Sequence, residues 1–441
     1  MDISLKKFCF RRNLNMLSNF RILDQKAAVV RAVFLWICGT CLASAQNFMS
    51  AQNFTTRTAD LSPFGVNGPL PFGETPDFAG GKGLKGGFAY GVGLSTNYDS
   101  NILLTEDDPD GDVSVILTPT LSYTSDPEGG APMVITANYS PSATAYLNNS
   151  EFNSIDQSGN VAMVVSGSRT TVSAFAGVSQ NSGADSLAAS QGFFTGTSLS
   201  LGLQASYQLA PRTSIVGGCS STLSNYGSGS VEGASATGYN SYSANLGGFW
   251  SATERLSFGP NFSYSNTTSD NTGDINSYGF SMQGAYKVSE KIQVAASIGA
   301  QYSQYSLEGS SGDITPIGSL NASYQINELW SWSNSIQSGL TPAPTQADYL
   351  INNWFFATML NRQFLEGSAG VGLNYQLSNY QSIGPAGPPL DNQQNLSLIL
   401  SYQRPLFLGR VDFNSSFYYA INSGQGEWSQ IQLNLGLSTQ F

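Results

Sequence analysis

Asp108, Asp110 and Asp112 stand at alternate positions around a glycine, in the run Asp108-Pro109-Asp110-Gly111-Asp112. Hard oxygens at that spacing make half of a calcium loop. No glutamate follows at the distance where a bidentate ligand would complete it. With Glu106 and Asp107 beside them, the same residues also read as a solvated acidic loop, able to bridge to lipopolysaccharide phosphates through divalent ions. Elsewhere the chain is poor in reactive groups. It contains no histidine, which removes every mechanism that needs an imidazole base near neutral pH. The other carboxylates fall mostly in polar, turn-like segments, where solvated charge is their plain role. No enzymatic activity and no cofactor are expected.

The elements around these residues begin with an export signal. Lys6, Lys7, Arg11, Arg12, Arg21, Lys26 and Arg31 precede an apolar run from Ala32 to Leu42, and Ala43-Ser44-Ala45 is a small-x-small cleavage site. Residues 1–45 therefore read as a signal peptide whose apolar part is too short for a membrane-spanning helix. Cleavage takes seven basic and two acidic residues from a chain that holds 18 and 29, so the remainder is more acidic than the −11 of the whole. Nucleic acid is a poor partner for such a chain. Only Cys219 lies beyond the signal, which rules out an intrachain disulfide. Residues 46–87 are rich in Pro and Gly, alternate little, and read as a periplasmic leader.

From Phe88 onward the pattern changes to strict alternation. Leu199, Leu201, Leu203, Ala205, Tyr207 and Leu209 share one face, while Ser198, Ser200, Gly202, Gln204, Ser206 and Gln208 share the other. Tyr278 to Val288, Ile292 to Tyr302 and Ile431 to Phe441 repeat it. Charged residues make up 11% of the chain, against about 25% in soluble domains. So many strands with one apolar and one uncharged polar face suit lipid outside and water inside. The turns repeat as well: Tyr207 before Pro211-Arg212, Trp250 before Glu254-Arg255, Tyr286 before Glu290-Lys291 and Tyr324 before Glu328-Leu329, with looser copies at Tyr375 and Tyr402. Tight turns at one end and long Gly/Ser/Asn loops at the other are the layout of a transmembrane barrel. The six aromatics Tyr207, Trp250, Tyr286, Tyr324, Tyr375 and Tyr402 would form an aromatic girdle at the turn-side interface.

The expected fold is all-β, a transmembrane antiparallel up-and-down barrel over residues 88–441. Eighteen strands begin near Phe88, Asp112, Met133, Gly159, Thr171, Thr197, Thr213, Tyr239, Arg255, Ser277, Lys291, Ile314, Leu329, Asn352, Glu366, Gln393, Gly409 and Ser429. Losing one pair would leave about 16, and either size keeps an aqueous lumen.

The last strand resembles the end signal of bacterial outer-membrane barrels, polar-x-Gly-x-x-aromatic-x-aromatic. Asn434, Gly436 and Phe441 fit it, and Thr439 departs at the inner aromatic position. Asn97-Tyr98-Asp99-Ser100-Asn101-Ile102 after a Gly-rich leader, together with the Pro-Arg-Thr and Glu-Arg/Lys turns, resembles the β-barrel porin-2 family of outer-membrane proteins over Phe88 to Phe441. That resemblance implies a pore of mostly unassigned substrate, with some members associated with exopolysaccharide export, and no catalytic residues. A polar lumen without a basic ladder suits small hydrophilic solutes, with cations weakly favoured. The expected role is a porin-like channel in the bacterial outer membrane. An export-associated barrel passing a polysaccharide, or a structural or adhesive surface barrel, are the alternatives. The expected partners are outer-membrane lipid and lipopolysaccharide, the barrel-assembly machinery and further copies of the chain.

Overall fold

The computed structural model describes residues 87–441 apart from 127–130, 185–192, 227–237, 270–272, 307–311, 343–348, 383–390, 408–409 and 425–426. Of the chain's two compact units, Met1–Phe48 lies wholly outside the described residues and Met49–Phe441 contains the barrel. The signal peptide 1–45 and nearly all of the leader 46–87 thus fall outside what is described.

The strands are β1 (Phe88–Asp99), β2 (Asp112–Thr124), β3 (Met133–Tyr146), β4 (Ser154–Ser166), β5 (Thr170–Ala184) and β6 (Phe193–Ala210). They continue as β7 (Thr213–Tyr226), β8 (Tyr239–Ser251), β9 (Leu256–Ser269), β10 (Gly273–Lys287), β11 (Ile292–Tyr305) and β12 (Asp313–Gln325). The last third is β13 (Trp330–Pro342), β14 (Tyr349–Phe364), β15 (Gly367–Ser382), β16 (Gln393–Leu406), β17 (Val411–Ser423) and β18 (Trp428–Gln440). All lie in one 18-stranded sheet in which each strand pairs with its sequence neighbours. β1 pairs antiparallel with β18 from Gly91↔Gln440 to Asp99↔Gln432, which closes the cylinder. The expected fold class is the observed one.

Alternation decides which side chain faces where. Phe88, Tyr90, Val92, Leu94 and Tyr98 are exposed on the outer face of β1, with Gly91, Gly93, Ser95 and Asn97 turned inward. On β18, Ile431, Leu433, Leu435 and Leu437 face out and Gln432, Asn434 and Gly436 face in. A water-soluble protein would bury this apolar band. A membrane barrel displays it, because lipid is the outer solvent and the closed sheet leaves no unpaired edge in it.

Most strands start within a few residues of the expected points. The larger differences are β4 at Ser154 rather than Gly159, β6 at Phe193 rather than Thr197, β10 at Gly273 rather than Ser277, and β14 at Tyr349 rather than Asn352. Each of these is an extension at the long-loop end.

Candidate functional site

The lumen is the concave feature of this fold, and its lining is built from hydroxyl pairs between neighbouring strands. Ser179 with Ser198 (3.0 Å), Ser220 with Ser243 (2.7 Å), Ser277 with Ser303 (2.9 Å) and Ser297 with Ser319 (2.8 Å) each join one strand to the next. Gln376 Nε2 and Ser378 Oγ both donate to Asn353 Oδ1, at 3.3 and 2.6 Å. Such pairs satisfy one another and still offer lone pairs to water, so the lining stays wet without gripping an ion. Aromatics interrupt it in places. Phe175 shares the inward face of β5 with Ser173 and Gly177, stays half exposed, and lays its ring over Gly202, where any Cβ would collide with it.

The loop-side mouth is filled from within. The loop from Ser100 to Gly111 turns into the barrel, held by a polar latch. Asn101 N donates to Asp99 Oδ1 (2.9 Å), and Asn101 Nδ2 donates to the carbonyls of Thr105 (2.8 Å) and Ser429 (3.1 Å). Gln430 Nε2 reaches both oxygens of Asp99 (3.0 and 2.9 Å), and Gln432 Nε2 adds a bond of 2.9 Å to Oδ2. A buried carboxylate needs several donors, and this one receives them from both ends of the chain's barrel. Beyond the latch, Ile102 packs on Phe152 and Phe193, with Leu103 and Tyr146 against them. The Phe152 and Phe193 rings stack at 5.0 Å, and Tyr146 meets both edge-on. Leu104 rests on Ala420 and Trp428, with Tyr418 and Ala184 completing the cluster. Tyr418 and Ala420 belong to the inner face of β17, whereas Ala184 ends β5, six strands further round the wall. The loop therefore spans part of the opening.

Charge divides along the barrel axis. Every Lys and Arg among the described residues lies at or near the turn end: Arg169, Arg212, Arg255, Lys287, Lys291, Arg362, Arg404 and Arg410. Asp99, Glu106, Asp107, Asp108, Asp110, Asp112, Glu151, Asp156, Asp274, Asp313, Asp391 and Glu427 occupy the loop end with no described cation among them. This asymmetry was readable once strand order was known, yet a single net charge conceals it.

The acidic trio is not gathered into one ligand set. Asp112 is buried and uses its carboxylate on the chain itself, accepting from Val113 N (2.6 Å), Asn148 N (2.9 Å), Asn149 N (2.9 Å) and Asn148 Nδ2 (2.9 Å). Asp108 and Asp110 remain exposed, Asp108 with a left-handed φ of 54°. Among the described residues no three Asp, Glu, Cys or His side chains come together where they could hold a metal ion.

The turn end is a different surface. Tyr207, Trp250, Tyr286 and Tyr402 are exposed on outer faces close to the ends of β6, β8, β10 and β16, and Tyr324 is half-buried at the end of β12. Tyr375 stands apart. It lies in the middle of β15, which runs unbroken to Ser382, and its hydroxyl donates to Gln394 Oε1 at 3.2 Å. The polar residues Gln376 and Ser378 that made 375–379 look like a turn are lumen-facing members of that strand. Further aromatics that the turn motif did not mark share the turn-side row. Trp250 packs on Phe258 (5.4 Å) and Phe88 on Tyr123 (4.7 Å), while Arg362 sits over the rings of Trp330 (5.1 Å) and Phe364 (4.9 Å). Phe441 donates its N–H to Tyr90 O (2.7 Å), accepts from Tyr90 N (3.2 Å) and stacks on the Tyr90 ring at 5.4 Å. Asn434 and Gly436 face the lumen, with Gly436 so close to Asn414 and Ser95 that a side chain there would displace one of them.

A closed cylinder with an apolar exterior, an aromatic row and a hydroxyl lumen defines a transmembrane β-barrel. No family model and no curated protein matches the chain. Solved structures of the same architecture do. OprD of Pseudomonas aeruginosa is 12% identical, with 81% of this chain and 96% of that chain covered and a TM-score of 0.41. The outer-membrane protein OpdK of the same organism is 12% identical over 80% and 99%, with a TM-score of 0.44. OccAB4 of Acinetobacter baumannii is 12% identical over 80% and 98%, with a TM-score of 0.43. At these scores the likeness does not carry those proteins' functions to this chain.

Proposed function

We propose that this barrel is a porin-like channel of the bacterial outer membrane that passes small hydrophilic solutes by diffusion, admitting neutral and cationic ones in preference to anions. The observation that carries the reading is the lumen. Hydroxyl and amide pairs line it, and the only described charges at its loop-side mouth are carboxylates. An acidic entrance raises the local concentration of cations and repels anions, more strongly at low salt. The segment Tyr98-Asp99-Ser100-Asn101-Ile102, which resembles the porin-2 opening, is also the segment that turns the first loop inward. That supports a shared construction of the mouth.

Within this reading, residues 1–45 are removed on export and 46–87 form the periplasmic leader. The turn-side aromatics anchor the barrel at one lipid interface. Asn434, Gly436 and Phe441 present the last strand to the assembly machinery. The apolar packing under the first loop favours a second reading, a surface barrel with a blocked lumen. Single-channel recording of the refolded mature chain, Gln46 to Phe441, in a planar bilayer separates the two. Stable open steps with cation preference are expected, and a folded, heat-modifiable barrel that stays silent would sink the channel.

A further inference from the structure

The barrel wall is not zipped all the way round. β12 pairs with β11 along its length, from Ile292↔Tyr324 to Ser303↔Asp313, but its pairing with β13 starts only at Ser319↔Gln337. Among the described residues, the loop-side stretch Asp313–Gly318 has no ladder partner on β13, and only Gly318 reaches it, through a side chain. The sequence leaves that ladder short of donors from β12. Gly318 N points toward β13 and donates to Ser338 Oγ at 2.8 Å, and the same hydroxyl returns a bond of 3.3 Å to Gly318 O. Backbone N–H groups in a strand alternate sides, so positions 316 and 314 face the same way as 318. Position 316 is proline and has no N–H to give. Ile314 N is taken by the carboxylate of its neighbour, Asp313 Oδ1, at 2.7 Å. Of the three donor positions facing β13, one lacks an N–H, one is taken by a carboxylate and one meets a β13 side chain, so none makes a backbone ladder bond, as at a strand edge.

The neighbouring strands overlap this edge on the inside. Leu340 and Leu350 lie on the outer faces of β13 and β14, yet both are buried, packed against Ile275 and Tyr305 from the inner faces of β10 and β11. Gln381, on the outer face of β15, donates to Asp313 Oδ2 at 2.6 Å from within. The ends of β13 to β15 have slipped inside the wall formed by β10 to β12. Among the described residues, what closes the slit between them is the Gln381–Asp313 contact and a layer of apolar side chains, with no backbone ladder.

We propose that this slit is a lateral opening between the lumen mouth and the surrounding lipid, used by small solutes that carry an apolar portion. The apolar lining selects the class of solute, since a fully hydrophilic molecule would gain nothing by entering it. The proposal rests on the reading of the chain as a membrane barrel, and it adds a second exit to the axial one.

The test uses the full chain with Cys219→Ser and the pair Asp313→Cys and Gln381→Cys, bridged by a short, reductant-cleavable bis-thiol reagent. Two readouts separate the two paths: conductance in a planar bilayer for the axis, and entry of the apolar dye N-phenyl-1-naphthylamine into intact producing cells for the slit. Bridging is expected to bring dye entry down to that of cells without the protein, with recovery on reduction. Dye entry unchanged by bridging overturns the proposal, whatever the conductance. A barrel silent in the bilayer whose dye entry still responds to bridging supports the slit and rejects the axial channel.

Discussion

The two ends of this barrel follow the same alternation and differ in nearly everything else. At the turn end, strands are joined by a few residues, both signs of charge are present, and the aromatics sit outside. At the loop end, the described charges are all negative, and apolar side chains are enclosed, as Ile102 with Phe152 and Phe193 inside the mouth, or Leu340 and Leu350 with Ile275 where strands overlap. A wall needs only to satisfy its backbone and face lipid, and any sequence with the right period does so. An entrance must present particular groups to a solute, so it breaks the period where it works.

The strongest way to break this contrast is to release the latch. Asp99→Ala removes the shared acceptor of the Gln430 and Gln432 amides and the Asn101 N–H in a buried place, costing about 3 kcal/mol. The first loop should leave the mouth, seen as a rise in single-channel conductance and faster protease cleavage between Ser100 and Gly111. Unchanged conductance would mean that the loop does not narrow the path. At the opposite end, deleting Phe441 removes two backbone bonds and one ring stack at the β1–β18 seam, about 2 kcal/mol in sum. Folded, heat-modifiable protein should become less abundant, while the barrels that do form conduct as before. An altered conductance in those barrels would show that the two ends are coupled.

Neutralising the mouth sharpens the comparison without disturbing packing. Glu106→Gln, Asp107→Asn, Asp108→Asn and Asp110→Asn together touch only exposed side chains. Stability should move by less than about 0.5 kcal/mol. Cation preference in a salt gradient should fall, most clearly at low ionic strength, where the screening length is longest. Preference that persists would assign selectivity to the interior instead.

The contrast also explains what could be read from the sequence. Alternation located the middle of the wall well, because there one face meets lipid and the other water. It failed where both faces are buried. Tyr349, Leu350 and Ile351 are consecutive and all enclosed, so no period marks the start of β14. Phe193 and Phe194 hide the start of β6 in the same way. Tyr375 misled for the opposite reason: Gln, Ser and Asn are turn residues in a soluble protein and lining residues here. The latch was present in the sequence as Asp99 and Asn101, but their partners Gln430 and Gln432 lie more than three hundred residues away, each bond recording a separation of 331 or 333. Only closure of the cylinder brings them together.

Calcium should have the smallest effect of all, and the reason lies in Asp112. Sequence spacing groups it with Asp108 and Asp110, but in the fold it belongs to the wall. Its oxygens hold the start of β2 to the loop after β3 through two backbone N–H groups and one side-chain amide, and also accept from its neighbour Val113 N. To bind a cation it would have to surrender bonds that a charged acceptor makes strong. A site with a dissociation constant near 1 mM would stabilise the barrel by about 1.4 kcal/mol at 10 mM calcium. We expect a much smaller shift in the unfolding midpoint, indifferent to Asp110→Asn, whereas Asp112→Ala should lower the midpoint with or without calcium. A shift near the full value that vanishes in Asp110→Asn would return Asp112 to the loop's chemistry and blur the boundary between wall and entrance.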